Sequence, residues 1–250
     1  MSGHNKWSTI KHKKARTDEK KGKEYTKIAK EIIIAVRAGG SDPESNSKLK
    51  LAIQNAKAIN MPNENISRAI KRGAGDMDTD AIEELTYEGY APGGVAVMLA
   101  IATDNRNRTA ADIRHLFAKY NGNLGETGCV SYMFERVGLL SINRENLQMD
   151  ADDLMMLALD AGADDVREDD DVIEVVTSPD NFMAVREALE AEINLDQADI
   201  VMLPNNTVDI SDETLAAKVL KLIDVLEDHD DVQKVYANFN IPDEILEKIM

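Results

Sequence analysis

The sequence predicts an α+β protein of three domains: an N-terminal three-helix domain and two ferredoxin-like α/β domains, one inserted into the other. Three observations carry this expectation. Apolar residues recur at helical spacing as far as residue 72. From residue 84 onward, short strand-like runs alternate with helical ones. Between the two regions the sign of the charge reverses. Residues 1–75 hold 17 Lys/Arg against 7 Asp/Glu, a net of +10; residues 76–250 hold 12 against 39, a net of −27. The expected bounds are 1–75 for the basic helical domain, 82–134 with 205–250 for a discontinuous α/β domain, and 135–204 for the inserted acidic one.

The opening Met-Ser-Gly-His-Asn-Lys-Trp-Ser-Thr-Ile-Lys-His-Lys-Lys has no apolar periodicity and reads as an extended arm. Trp7 sits among Lys6, Lys11, His12, Lys13 and Lys14. Either it stacks on a base while the lysines meet phosphates, or it plugs onto the following helices. Asp18 caps a helix to about residue 38, ended by Gly39-Gly40. Tyr25, Ile28, Ala29, Ile32 and Val36 form its core stripe, with Lys20, Lys23, Lys27 and Lys30 on the opposite face. A second helix, 45–60, follows Asp42-Pro43 and buries Leu49, Ala52, Ile53 and Ala56. Met61-Pro62 breaks it, and Asn63 caps a third helix, 64–72, closed by Gly73. There Ile66, Ala69 and Ile70 face inward, and Arg68, Lys71 and Arg72 outward. Charge stripes are commonly just solvated faces. Here two stripes and the arm share one sign, which points to a polyanion.

Residues 73–80 read as a linker. Asp76, Asp78 and Asp80 have the spacing of a calcium loop, but Ala81 stands where the loop needs Gly and Tyr87 where it needs the bidentate Glu, so that reading fails. Strands at 84–90 and 95–103 make a hairpin across the turn at 91–94. Asp104 caps a helix, 106–120; a glycine-punctuated loop, 121–128, leads to a strand at 129–134. Residues 137–203 then run strand, helix, two strands, helix, strand, the split ferredoxin-like unit. The flanking strand 95–103, helix 106–120, strand 129–134, strand 206–210, helix 212–227 and strand 232–239 give the same order once 137–203 is set aside as an insertion. Residues 241–250 form a short final helix.

Enzyme chemistry finds no constellation. His4, His12, His115 and His229 lack metal-ligand spacing. The single Cys129 excludes a disulfide framework and a cysteine zinc cluster, and fits a reducing compartment. Gly93-Gly94 lacks the Lys-Ser/Thr of a P-loop, and Gly122 to Gly128 precedes a strand rather than a helix. No apolar run approaches the roughly 18 residues of a membrane span. The expectation is a cytoplasmic protein that is no enzyme and needs no metal or cofactor. Arg106 and Arg108 crowd a helix start, against the helix dipole. They either make a second nucleic-acid contact or are neutralised by nearby acids.

Gly3-His-Asn-Lys-Trp-Ser-Thr-Ile-Lys-His12, Met61-Pro62, Ala69-Ile-Lys-Arg-Gly73, Tyr87-Glu-Gly-Tyr90, Thr103-Asp-Asn-Arg106, Asn107-Arg-Thr109 and Gly122-Asn-Leu-Gly125 together resemble the YebC/PmpR family. Asn5 and Cys129 each replace a commoner Ser. The resemblance spans nearly the whole chain. It implies a helical domain followed by two α/β domains, in a cytoplasmic bacterial protein of the probable DNA-binding transcriptional regulator type. Some relatives, mitochondrial ones included, resemble translation factors that act with the ribosome on proline-rich stretches. The partner expected is therefore DNA or ribosomal RNA. The contact residues expected are Lys6, Trp7, Lys11, His12, Lys13, Lys14, Lys20, Lys23, Lys27, Lys30, Arg68, Lys71, Arg72, Arg106 and Arg108. Lysine-rich faces suit phosphates better than base edges, and the −27 remainder opposes a long duplex. Both features favour an RNA role modestly.

Overall fold

The computed structural model describes residues 18–75, 81–147, 149–169 and 171–249, with side chains from residue 21. They fall into two compact units: residues 132–207, and the chain on either side of that segment.

In the latter unit, α1 (Asp18–Gly39), α2 (Ser47–Ala58) and α3 (Asn63–Gly73) enclose a core of Ile32, Ile33, Val36, Leu49, Ala56, Ile66 and Ala69. Asn46 joins two of these helices. Its Oδ1 accepts the Leu49 N–H at 3.1 Å as the cap of α2, and its Nδ2 donates to the carbonyls of Ala35 and Gly40, each at 2.8 Å. The chain leaves α2 through Asn60, whose φ of 59° lets Met61 N–H reach back to the Ala56 carbonyl. Gly73 is where α3 meets α1: a Cβ there would lie 2.7 Å from Val36 Cβ and 2.9 Å from the Ile33 carbonyl. Asn63 is the first helical residue of α3 rather than its cap. The capping position is Pro62, which has no side-chain donor or acceptor to offer.

β1 (Glu83–Ala91) and β2 (Val95–Thr103) form a hairpin nine residues deep. Then come α4 (Arg106–Lys119) and the short β3 (Asn123–Leu124). The cap of α4 is Asn105, whose side chain accepts the Arg108 N–H, rather than Asp104. β4 (Phe134–Asn143) opens the inserted unit, with α5 (Ala151–Asp160), β5 (Asp165–Glu168), β6 (Val172–Thr177), α6 (Phe182–Glu190) and β7 (Gln197–Pro204). The chain returns with β8 (Val208–Asp209), α7 (Glu213–Glu227), β9 (Val232–Ala237), β10 (Phe239–Asn240) and α8 (Asp243–Ile249).

The inserted unit pairs its strands in the order β5-β6-β4-β7, all antiparallel, as its strand and helix order predicts. Leu140 opposite Val175 and Ile142 opposite Ile173 share one sheet face. Gly138 lies on that face, where a Cβ would come within 2.5 Å of the Phe182 ring on α6. The other sheet departs from expectation. Its order is β3-β1-β2-β9. The strand expected at 129–134 is absent: Ser131–Met133 is a 3-10 turn, and Phe134 already belongs to β4. The strand expected at 206–210 shrinks to β8, which pairs in parallel with β10 outside this sheet. β1 lies beside β2, as the expected hairpin requires, and holds the edge of β2 that residues 206–210 would otherwise take. A hairpin closed by Pro92–Gly94 pairs at little loop-entropy cost, whereas residues 206–210 are more than a hundred positions away along the chain. Val97, Leu99 and Ile101 of β2 pack with Ile113 and Phe117 of α4 and with Val219, Ile223 and Leu226 of α7.

Candidate nucleic-acid interface

Of the residues expected to meet nucleic acid, Lys6, Trp7, Lys11, His12, Lys13 and Lys14 lie outside the described residues, as does the side chain of Lys20. The structure places the others in two different settings.

Lys23, Lys27 and Lys30 recur at intervals of four and three and so share one face of α1. That face turns toward an acidic segment rather than toward water. Lys23 Nζ donates to Asp228 Oδ2 at 2.8 Å and to the Asp228 carbonyl at 3.2 Å. Lys27 Nζ donates to the Glu227 carbonyl. Lys30 Nζ donates to Asp231 Oδ1 at 2.8 Å, the Asp230 carbonyl at 2.9 Å and the Ala102 carbonyl at 3.1 Å. Glu227 and Asp228 end α7, where carbonyls lack helical partners and the dipole presents negative charge. The lysines satisfy both. This corrects the expectation of a stripe projecting freely from the helix: its residues 23, 27 and 30 bridge the helical region to the α7–β9 turn. Burial lowers the Lys27 ammonium below the usual lysine range, and Glu227, Asp228 and Asp230 offset this only in part.

Asp231 is the centre of that junction, with 7% of its side chain exposed. Besides Lys30, its carboxylate accepts from Thr109 Oγ1 at 2.7 Å, Arg108 Nη2 at 2.9 Å and Thr103 Oγ1 at 3.2 Å. Burial alone would raise its pKa. The bonds from Lys30, Thr109 and Arg108 outweigh burial and hold the carboxyl well below the usual range. Arg108 also reaches Asp104 at 2.9 Å. Of the two readings of the helix-start arginines, neutralisation by acids describes Arg108. Arg106 is exposed; its carbonyl accepts the Tyr87 hydroxyl at 3.3 Å. Nothing in the sequence singled out Asp231. The signal available was Glu-Asp-His-Asp-Asp at the end of an amphipathic helix, where acids oppose the dipole unless cations meet them.

The cations of α3 are differently placed. Arg68 is 61% exposed, and among the described residues its ion pair is with Glu64, one turn earlier, at 3.1 Å. Lys71 is exposed, and Arg72 is half-buried. Among the described residues neither has an ion pair, and Arg72 Nε is shut off from solvent without a hydrogen-bond partner. Arg37, Lys48 and Lys57 are further exposed cations in the same helical region, outside the expected contact residues.

The glycine-punctuated loop does hold an anion, and the anion is the protein's own. Glu88 of β1, 3% exposed, accepts the N–H groups of Gly128, Val130 and Ser131, each at 2.8 Å. Burial opposes the charge, but these bonds lower the carboxyl pKa overall. Cys129, between them, has its thiol pKa raised by burial and by Glu88.

Residues 5–76 match the family model described as the TACO1/YebC protein N-terminal domain, and residues 82–239 match the TACO1/YebC second and third domain. The chain is 67% identical to a protein of Syntrophomonas wolfei named "Probable transcriptional regulatory protein", covering 98% of this chain and 99% of that one. A protein of the same name from Halothermothrix orenii is 55% identical, covering 100% and 99%. The crystal structure of a conserved hypothetical protein from Aquifex aeolicus superposes with a TM-score of 0.85 at 49% identity, covering 95% of this chain and 97% of that one. No helix among the described residues is long and apolar enough to cross a membrane. With both models matched in sequence order and full-length relatives at this identity, the chain belongs to the TACO1/YebC family.

Proposed function

We propose that this protein is a nucleic-acid-binding regulator of gene expression, in the first place a DNA-binding regulator of transcription. The observation that carries this reading is the outward cationic face of α3, Arg68, Lys71 and Arg72, in a region whose net charge is +10. In the sequence, Lys6, Lys11, Lys13 and Lys14, with Trp7 and His12, belong to the same basic region. Each phosphate neutralised releases counterions, which makes binding strong at low salt and steeply salt-dependent. The name shared by the bacterial relatives supports the transcriptional role. In this reading the protein acts by binding alone, without a cofactor and without catalysing a reaction.

A ribosome-associated translation factor is the second reading. It is favoured by the preponderance of lysine over base-reading Asn and Gln, and by the −27 charge of the remainder, which a long duplex repels and basic ribosomal proteins attract. Sedimentation of a native lysate at physiological salt separates the two. Retention on chromosomal fragments until DNase is added supports the transcriptional role. Co-migration with ribosomes, lost on RNase treatment, replaces it with the translational one. Association with neither overturns both.

A further inference from the structure

We propose that the cavity between α1 and α3 receives one unpaired nucleotide, its base on the apolar floor and its phosphate at the Arg72–Arg68 rim. The proposal rests on the reading of the helical region as a nucleic-acid-binding surface and deepens it. The cavity has a volume of about 430 Å³, within the range of small-molecule sites. Its floor is Ala29, Ile33, Met61, Ala69 and Ile82, an apolar surface suited to the face of a base. Tyr25 lines one wall, its hydroxyl tied to the Asn60 carbonyl at 3.0 Å.

Polar groups line the same cavity. Arg72, on the lining, has a buried Nε that meets no acceptor among the described residues, and a buried donor of this kind is normally paired. Among the described residues Arg68 is held by an exposed pair within its own helix, which yields readily to a phosphate. Asn65 adds an amide that donates and accepts, as base-edge contacts require. Lys30, also on the lining, has its bonds committed to Asp231, Asp230 and Ala102. Asp104, the carboxylate of the lining, is tied to Arg108 at 2.9 Å. A ligand with an apolar ring and an anionic group fits this division. In a duplex the base is stacked and paired, so the site discriminates in favour of single strands.

The test uses the full chain and labelled oligonucleotides of about 12 nucleotides, RNA in one arm and DNA in the other, each single-stranded and paired with its complement. A single strand binds about tenfold more tightly than its duplex. The arm with the higher affinity names the source of the nucleotide. Thr26→Trp, at an exposed lining position, blocks the cavity without entering the core and brings the ratio of single-strand to duplex affinity toward unity. A 4-thiouridine strand photocrosslinked to the unaltered protein labels Tyr25 or Met61, so the assignment does not depend on the variant folding. Nucleic acid bound without strand preference, or crosslinks confined to residues outside the cavity, overturns the nucleotide site and leaves the nucleic-acid reading standing. No binding of any strand overturns both.

Discussion

α1 and α3 each carry basic residues opposite a core stripe, and in sequence the two look alike. Their fates differ. The α1 lysines at 23, 27 and 30 are held by the α7–β9 turn, where they satisfy helix-end carbonyls and the Asp231 carboxylate. Arg68, Lys71 and Arg72 of α3 meet no acid beyond Glu64 among the described residues. A cationic stripe is therefore not a unit of function: one serves the fold, and the other is open to a partner. Twelve of the chain's Lys/Arg follow residue 75, against 39 acids, so an acidic partner for an exposed helix was available within the same chain. What selects α1 is the position of the α7 end beside it.

The comparison can be broken at Asp231 first. Asp231→Ala removes the one carboxylate that Lys30, Arg108, Thr103 and Thr109 all donate to. Losing one partner of a buried pair costs about 3–5 kcal/mol, read from urea unfolding. Lys30→Met leaves the carboxylate its other donors and costs less, about 1–3 kcal/mol.

A pH titration sharpens the same point. The Asp231 carboxyl titrates near about 3.9 in the unfolded chain and lower in the fold. Its stabilisation is thus complete above the unfolded value and is lost as pH falls through the folded one. Asp231→Asn should flatten the acid limb of the stability curve and leave its alkaline limb in place.

On α3 the expected effect on stability is small. Arg68→Gln, Lys71→Gln and Arg72→Gln combined should change stability by less than about 1 kcal/mol, since among the described residues none of the three has an ion pair beyond its own helix. Lys23→Ala is a near-neutral control. Its pair with Asp228 is exposed, 34% and 62%, and such pairs contribute about 1 kcal/mol or less.

Much of this fold was legible because its signals are local. The three helices, the inserted unit's strand order and the core faces follow from periodicity and turn residues such as Asn60-Met61-Pro62. The β3-β1-β2-β9 sheet was misassigned because alternation does not say which strand fills a vacant edge. There the β1–β2 hairpin prevailed over a distant segment. The candidate interface was legible as charge but not as exposure. Lys27 and Lys71 are both helical lysines opposite a core stripe, and only the position of a carbonyl from residue 227 separates them. Glu88 was invisible for the same reason: a Glu in an alternating strand looks solvent-facing until a loop forty residues away wraps it.

The division between the two faces is tested most directly by the salt dependence of nucleic-acid binding. The affinity of the full chain for one nucleic-acid probe is measured across salt for the unaltered protein, for Arg68→Gln/Lys71→Gln/Arg72→Gln, and for Lys23→Gln. If α3 is the open face, the triple variant loses roughly 0.7–0.9 of log–log slope per phosphate contact removed, and Lys23→Gln keeps the original slope. A slope that falls with Lys23→Gln and holds in the triple variant would contradict the account, placing nucleic acid on the face that the acidic turn occupies in this structure.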